Sequence, residues 1–168
     1  MRIRLFILVL LTLFLSSCTR EQAFETHGVT FSYLSGDWEI EEEAQSYQQH
    51  FVGIRKIGLD PSGIFFITFF PKSEEDTVKS LIDESVEFNL SSDLKYECTP
   101  VVSTTFNGIP ALTYSYTMTA NGYVHHGTVY TLENDDWLIE IIKQEAEVDA
   151  RKNKAGFALL ESTFRFTE

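Results

Sequence analysis

The sequence predicts an α+β fold in which helices cover both faces of a mostly antiparallel sheet. Residues 64–70 read Ile-Phe-Phe-Ile-Thr-Phe-Phe, and a strand that is apolar on both faces must be covered on both faces. Residues 74–90 have the spacing of an amphipathic helix, and from Tyr96 onward apolar residues alternate with polar ones between short turns. Together these segments predict an α/β/α sandwich around a central sheet.

Alternation of apolar and polar residues indicates the first strands. Val29, Phe31 and Tyr33 alternate with Thr30 and Ser32, as expected of a half-buried strand. The turn formers of residues 35–37 follow, and then a second short strand in which the side chains of residues 38 and 40 lie on one side. Residues 48–57 are a third strand candidate, which ends at a segment dense in glycine, proline and aspartate.

The segment 74–90 is predicted to form the helix that covers the apolar strand. Ser73 is a plausible N-cap, with Asp76 three residues further on and acidic side chains in the first turn, where the helix dipole favours negative charge. The apolar face consists of residues at helical spacing, namely Val78, Leu81, Ile82, Val86 and Leu90. Residues 91–93 are expected to end the helix.

The C-terminal half is predicted to be an antiparallel meander followed by a second helix. Asn107-Gly108 and Asn121-Gly122 are strong hairpin signals, and residues 134–136 form a further turn. They separate strand-like runs at residues 96–106, 112–119, 123–132 and 137–143. Residues 147–161 have helical spacing, although Gly156 is unfavourable in a helix, and residues 164–166 are expected to form a closing edge strand.

Three short motifs resemble the PsbP-like superfamily, which includes small bacterial lipoproteins of the DcrB-like kind. They are Gly-Val-Thr-Phe-Ser-Tyr at residues 28–33, Gly-Asp-Trp-Glu-Ile at residues 36–40 and Asn-Gly-Ile-Pro-Ala at residues 107–111. Leu34 stands where the family has a proline. The resemblance implies the same α/β/α sandwich and a mostly non-enzymatic binding or assembly scaffold, and it carries over no catalytic residue.

The first 18 residues have the layout of a secretion signal. Arg2 and Arg4 precede an apolar run that is shorter than the roughly 20 residues of a spanning helix. The run ends in Leu15, Ser16, Ser17 and Cys18, which resembles the lipobox of bacterial lipoproteins. The alternatives are an ordinary signal peptide with an incidental cysteine and an anchor that is never cleaved.

A lipoprotein leader implies three regions: a signal peptide at residues 1–17, a lipidated N-terminus and tether at residues 18–27, and a single domain at residues 28–168. Acyl chains such as palmitate on Cys18 would attach the protein durably, because two chains anchor far more firmly than one. Thr19 stands where an aspartate would resemble an inner-membrane retention signal. We therefore expect a location at the outer membrane, facing the periplasm, if the organism is Gram-negative.

The charge composition limits which classes of binding partner are expected. The chain has 13 basic and 25 acidic side chains, a net charge of −12, and both leader arginines are outside the expected mature protein. Such a field repels nucleic acid and anionic headgroups. The membrane, through the lipid, and an unidentified protein are the partners that we expect.

No catalytic or metal-binding motif is recognisable. His125 and His126 are neighbours on a strand and point to opposite faces, so they cannot easily share one ion. Paired carboxylates such as Asp83 with Glu87 are typical of a solvated helix face. Cys98 has no companion motif for nucleophilic catalysis and is expected to be a small buried hydrophobe. No metal and no cofactor is therefore predicted.

Tyr114 and Tyr116 are the candidate binding surface, since they share one face of a strand. Aromatic residues at this spacing are more often part of a core. The favoured function is a non-catalytic, membrane-anchored extracytoplasmic lipoprotein that binds a protein or assists envelope assembly. The alternative is a carrier of a small ligand or metal at the membrane surface, and an enzyme ranks third.

Overall fold

The computed structural model describes residues 19–44, 49–58 and 63–167. The strands in these ranges are β1 (Arg20–Thr26), β2 (Val29–Ser35), β3 (Trp38–Ala44), β4 (His50–Lys56), β5 (Ile64–Pro71), β6 (Tyr96–Cys98), β7 (Val102–Phe106), β8 (Ile109–Ala120), β9 (Tyr123–Glu133), β10 (Trp137–Ala146) and β11 (Arg165–Phe166). The helices there are α1 (Val78–Ser91) and α2 (Ala150–Thr163), and a short 3-10 helix (Glu147–Asp149) precedes α2.

All eleven strands belong to one sheet, in the order β1-β2-β3-β4-β5-β10-β9-β8-β6, with β11 beside β2 and β7 beside β8. The pairing is antiparallel except between β2 and β3, whose bridge at Ser35 and Trp38 is parallel. The Asn-Gly turns form as predicted: Asn107 and Asn121 have φ values of 46° and 52°, and the glycines after them are also left-handed. Local turn chemistry therefore determines the meander β7 to β10.

The predicted fold class, an α/β/α sandwich whose sheet is covered by helices on both faces, is wrong. Strands account for 55% of the residues that the structure describes and helices for 22%. One large mixed sheet dominates the molecule, and the two α-helices in the described ranges have 14 residues each. Helices this short cannot cover a sheet of this width.

The apolar strand β5 shows why the prediction failed. Phe65, Ile67 and Phe69 are fully buried on one face. On the opposite face, Phe66 is 37% exposed and Phe70 is only partly buried. The helix α1 packs mainly on β6, β8, β9 and β10. The face of β5 that carries Phe66 and Phe70 therefore lies beside the edge of α1 rather than beneath it. An apolar residue pattern showed that this face favours burial, but not that a helix covers it.

The helix α1 begins four residues later than the sequence suggests. Thr77 is the N-cap and accepts a hydrogen bond from the amide of Ser80, whose hydroxyl accepts one from the Thr77 amide. The predicted cap, Ser73, instead forms a separate turn in which its hydroxyl bonds Asp76 at 2.5 Å. A capping box satisfies two orphan amides at once, which explains why Thr77 begins the helix.

Part of the segment expected to be a tether belongs to the sheet. Arg20–Thr26 forms β1, which pairs along its whole length with β2. The ring of Phe24 lies 5.4 Å from that of Phe31, and the left-handed residues His27 and Gly28 close the hairpin. Strand β1 therefore begins two residues after Cys18.

The main core lies on the face of the sheet that α2 covers. Phe157 and Leu160 of α2 pack against a cluster that includes Trp38, Phe65 and Ile139. Gly156 makes this packing possible, because a Cβ there would lie 2.3 Å from Cε2 of Trp38. The glycine that weakens the helix prediction is therefore the position where the Trp38 ring reaches the helix backbone.

Replacement of Gly156 by alanine tests this contact. Helix propensity alone favours alanine by about 1 kcal/mol, whereas overpacking against Trp38 costs about 1–3 kcal/mol. We expect Gly156→Ala to lower the free energy of unfolding in denaturant melts. Ala155→Gly, on the exposed side of the same turn, calibrates the propensity effect. A gain in stability for Gly156→Ala would show that Trp38 does not pack there.

Candidate functional site

A groove between α1 and the sheet brings aromatic and acidic side chains together. It has a volume of about 530 Å³, within the range of small-molecule sites. One wall is the side of α1 that faces β5, and the floor is formed by β5, β8 and β10. The lining residues are Phe66, Phe70, Leu81, Glu84, Ser85, Phe88, Asn89, Tyr96, Tyr116, Glu140, Ile142 and Gln144.

The ring of Phe66 lies at the open border of the floor. Its position depends on Gly53 of β4, since a Cβ there would lie 3.0 Å from Cε1 of Phe66. The ring of Phe51 is 6.4 Å from that of Phe66 in an edge-on arrangement. Strands β4 and β5 thus present aromatic rings to a surface that α1 does not cover.

Tyr116 lies flat across β9. It pairs with Gly127, where a Cβ would lie 2.0 Å from Cζ of the tyrosine ring. The hydroxyl of Tyr116 donates to Oε1 of Gln144 on β10 at 2.7 Å. The sequence signal for this arrangement is a glycine inside a strand, which often marks a close approach by another group.

The two tyrosines of the predicted binding surface are both buried. Tyr114 is 1% exposed and Tyr116 is 5% exposed. The hydroxyl of Tyr114 bonds Ser85 at 2.9 Å and Asn89 at 2.8 Å, and burial raises the pKa of Tyr114 to about 12. Tyr114 therefore attaches α1 to the sheet, whereas Tyr116 lines the groove.

Glu140 places a carboxyl group on the floor of the groove. It lies on β10 between Thr68 of β5 and Thr131 of β9. Burial raises the pKa of Glu140, and a hydrogen bond with the Ser85 hydroxyl opposes this rise in part. Among the described residues, Glu140 forms no ion pair. Glu140 has no recognisable signal in the sequence, because one acidic residue in an apolar strand has no distinctive spacing.

Replacement of Glu140 by glutamine gives a pH-dependent change in stability. The folded-state pKa is raised above the ordinary 4.5, so the penalty for burying the charge is absent below about pH 4, develops as the pH rises from the ordinary value to the folded-state value, and is complete above it. We expect Glu140→Gln to match the wild type near pH 4 and to be more stable near pH 7.5 in thermal melts. Glu84 and the tyrosines face Glu140 across the groove. None of them carries a positive charge, so they do not reverse the direction of the pKa shift of Glu140.

Glu87→Gln on the exposed side of α1 is the matched control, because it removes the same charge outside the groove. An equal gain in both variants would attribute the effect to the net negative charge of the chain and contradict a penalty for the partly buried carboxylate of Glu140.

Large apolar side chains on and after α1 are exposed. Phe88, on the rim of the groove, is 74% exposed. Leu90, which is 61% exposed, lies on the other flank of α1, because residues two apart on a helix do not share a face, and Leu94, after the helix, is 41% exposed. Single exposed apolar residues are ordinary, but large ones beside an open groove mark an interaction surface.

The histidines fall into two groups. His125 is buried and His126 is exposed on β9, so their rings leave on opposite faces. His27 and His50, whose proximity the sequence could not indicate, have ring centroids 4.2 Å apart beside Phe69. Within the described ranges, no three His, Cys, Asp or Glu side chains are grouped so that they could hold a metal ion.

The remaining predicted site residues contribute no geometry to the groove. Cys98 packs at the edge of the cluster around Ile82, and burial raises the pKa of its thiol, which keeps it protonated. Leu15, Ser16, Ser17 and Cys18 lie outside the described residues. In the ranges that the structure describes, no helix combines the length and apolar character needed to cross a bilayer.

No model of a known protein family matches the sequence, and no curated protein matches it. Solved structures do. Cyanobacterial PsbP (CyanoP) from Synechocystis sp. PCC 6803 is similar over 90% of this chain and 95% of its own, with a TM-score of 0.66 and 16% identity. LpqN, involved in cell envelope biogenesis of Mycobacterium tuberculosis, is similar over 89% of this chain and 91% of its own, with a TM-score of 0.59 and 9% identity.

A third structure, from Bacteroides thetaiotaomicron, matches 88% of this chain and 48% of its own length, with a TM-score of 0.58 and 12% identity. Likeness at these identities establishes the fold alone. The chain therefore has a PsbP-like fold, as the sequence motifs indicated. The resemblance implied helical cover over both faces of the sheet, whereas in the described residues one short helix lies on each face and most of the sheet is not covered by helix.

Proposed function

We propose that the protein is a non-catalytic, membrane-anchored lipoprotein of the cell envelope that binds a partner protein in the groove between α1 and the sheet. The observation that supports this function best is the open aromatic groove with the exposed apolar surface beside it. Surfaces of this kind on soluble domains are commonly protein interaction sites. The ring of Phe51 is partly exposed and lies beside Phe66 but outside the groove lining, so it extends the aromatic surface past the groove. This extension favours a protein segment over a ligand that would fill the groove alone.

The N-terminal end of the domain supports attachment through Cys18. Strand β1 begins at Arg20, which pairs with Ser35 at the end of β2. The amide of Ile57 donates to the carbonyl of Asp37 at 2.8 Å, so the end of β4 lies beside the turn after β2. A lipid on Cys18 would hold this end of the sheet directly at the membrane surface.

Basic side chains are found at the same end. Asn153 of α2 lies against Gly63, which precedes β5, so the first turns of α2 reach this end of the sheet. Arg20, Arg151 and Lys154 form no ion pair with another described residue. These three cations suit contact with anionic headgroups, whereas Glu21, Glu147 and Asp149 in the same segments oppose it.

An envelope location is consistent with the involvement of LpqN in cell envelope biogenesis. That involvement is a property of LpqN, and the common fold is its link to this chain. The absence of a catalytic motif in the sequence and the protonated thiol of Cys98 support a binding role. On the argument from Thr19, the outer membrane is the location that we propose for a Gram-negative host.

Removal of the Cys18 thiol tests the anchor. We expect Cys18→Ala to abolish incorporation of labelled palmitate and to move the protein out of the membrane fraction, because no other acylation site is proposed. Cys98→Ala is the matched control and should retain both label and membrane fraction. Retention of label and membrane attachment by Cys18→Ala would contradict lipidation at this residue.

Phe88 tests the groove as a binding site. A benzoylphenylalanine crosslinker at Phe88 in the full chain identifies the partner, which is then purified for affinity measurements. We expect Phe88→Ala to weaken binding of that partner about tenfold or more, as hot-spot aromatics do. Leu90→Ala, two residues from Phe88 and therefore on the other flank of α1, outside the groove lining, is the control and should change affinity little. Equal effects of the two substitutions would contradict recognition in the groove.

A small-ligand carrier is the second candidate function. The groove volume of about 530 Å³ favours it, since ligand sites commonly occupy a few hundred cubic ångströms. A ligand that fills the groove would raise the melting temperature with the logarithm of its concentration and would lose this effect in Phe88→Ala.

A further inference from the structure

The charged residues that line the groove are all acidic. They are Glu84, on the α1 wall, and Glu140, on the floor, and the lining contains no lysine, arginine or histidine among the described residues. Five aromatic side chains surround these carboxylates, namely Phe66, Phe70, Phe88, Tyr96 and Tyr116. Acidic groups among aromatic rings are the chemistry that attracts a cation, since ring faces are electron-rich.

Glu140 receives little compensation from the protein itself. Its partner on α1 is the hydroxyl of Ser85, which also bonds Tyr114 at 2.9 Å. Threonines rather than basic residues are its cross-strand neighbours on β5 and β9. A carboxylate in an apolar site without a cationic partner is unfavourable, so a ligand that supplies the cation regains that free energy on binding.

We propose that the groove selects a partner segment in which a lysine or arginine side chain lies among apolar residues, with the cationic head at Glu140 and the apolar residues against the aromatic rings. This inference rests on the proposed function and specifies the chemistry of the segment. The long apolar stem of lysine or arginine matches the ring-lined wall, while the charged head reaches the floor. An anionic segment is disfavoured by both Glu84 and Glu140.

Three small probes of matched shape test the charge preference: 4-phenylbutylammonium, 4-phenylbutanol and 4-phenylbutanoate. They are titrated calorimetrically into the full chain in nanodiscs of neutral lipid, with empty nanodiscs as background. We expect the ammonium to bind about tenfold more tightly than the alcohol, as a charge-assisted hydrogen bond allows, and the carboxylate to bind most weakly.

Matched variants show which residue causes the preference for the ammonium probe. Glu140→Gln should bind the ammonium and the alcohol about equally, and Glu87→Gln, which removes a charge from α1 outside the groove lining, should keep the wild-type preference. Persistence of the preference in Glu140→Gln overturns the assignment of the cationic head to Glu140, because Glu84 or the net negative charge of the chain would then explain it. The wild-type comparison needs no variant: equal binding of ammonium and alcohol also overturns the inference.

The failure of the inference can be told apart from failure of the proposed function. If ammonium and alcohol bind equally and both are weakened by Phe88→Ala, the groove stands as an apolar site without charge selection. If none of the probes binds, the cation-selective site is overturned, and the partner affinity of Phe88→Ala decides the groove itself.

Discussion

The limited reach of α1 over the sheet is the constraint on which the rest of the site depends. The helix is held to the sheet by Tyr114, whose hydroxyl bonds both Ser85 and Asn89, and by Ile82 in the cluster beneath it. It packs mainly on the strands from β10 to β6. The aromatic residues of β5 are therefore left beside the helix rather than under it, and this border is the groove.

Close contacts with glycine produce the aromatic surface. Tyr116 lies on Gly127, and Phe66 lies near Gly53, so these rings can approach neighbouring strands where a larger residue would exclude them. The same relation occurs on the opposite face, where Trp38 lies on Gly156 of α2. Glycines in regular elements thus position large rings on both sides of the sheet.

Local features of the fold could be predicted from the sequence, and long-range ones could not. The hairpin turns at Asn107 and Asn121 depend on a few neighbouring residues, so they were predicted correctly. The strand Arg20–Thr26 was missed because it lies at the sheet edge and its exposed polar residues resemble a linker. The expected cover over β5 was wrong because periodicity identifies an apolar face but not the element that packs on it.

The groove could be anticipated only in part. Tyr116 was selected for its parity with Tyr114, but Glu140 belongs to the site only because β10 lies between β5 and β9. That strand order is a long-range property with no local sequence signal. The proximity of His27 and His50 has the same origin, since their rings meet through the sheet rather than along the chain.

The most direct test of whether the groove between α1 and the sheet is a binding site is methyl NMR of the full chain in nanodiscs. The probe titrated is 4-phenylbutylammonium. The groove as described predicts shifts at the methyl groups of Leu81 and Ile142, which line it, and none at Ile139 and Leu160, which lie in the opposite core. Shifts confined to Ile139 and Leu160, or to Ile109 in a separate hollow by β8, would contradict the central claim.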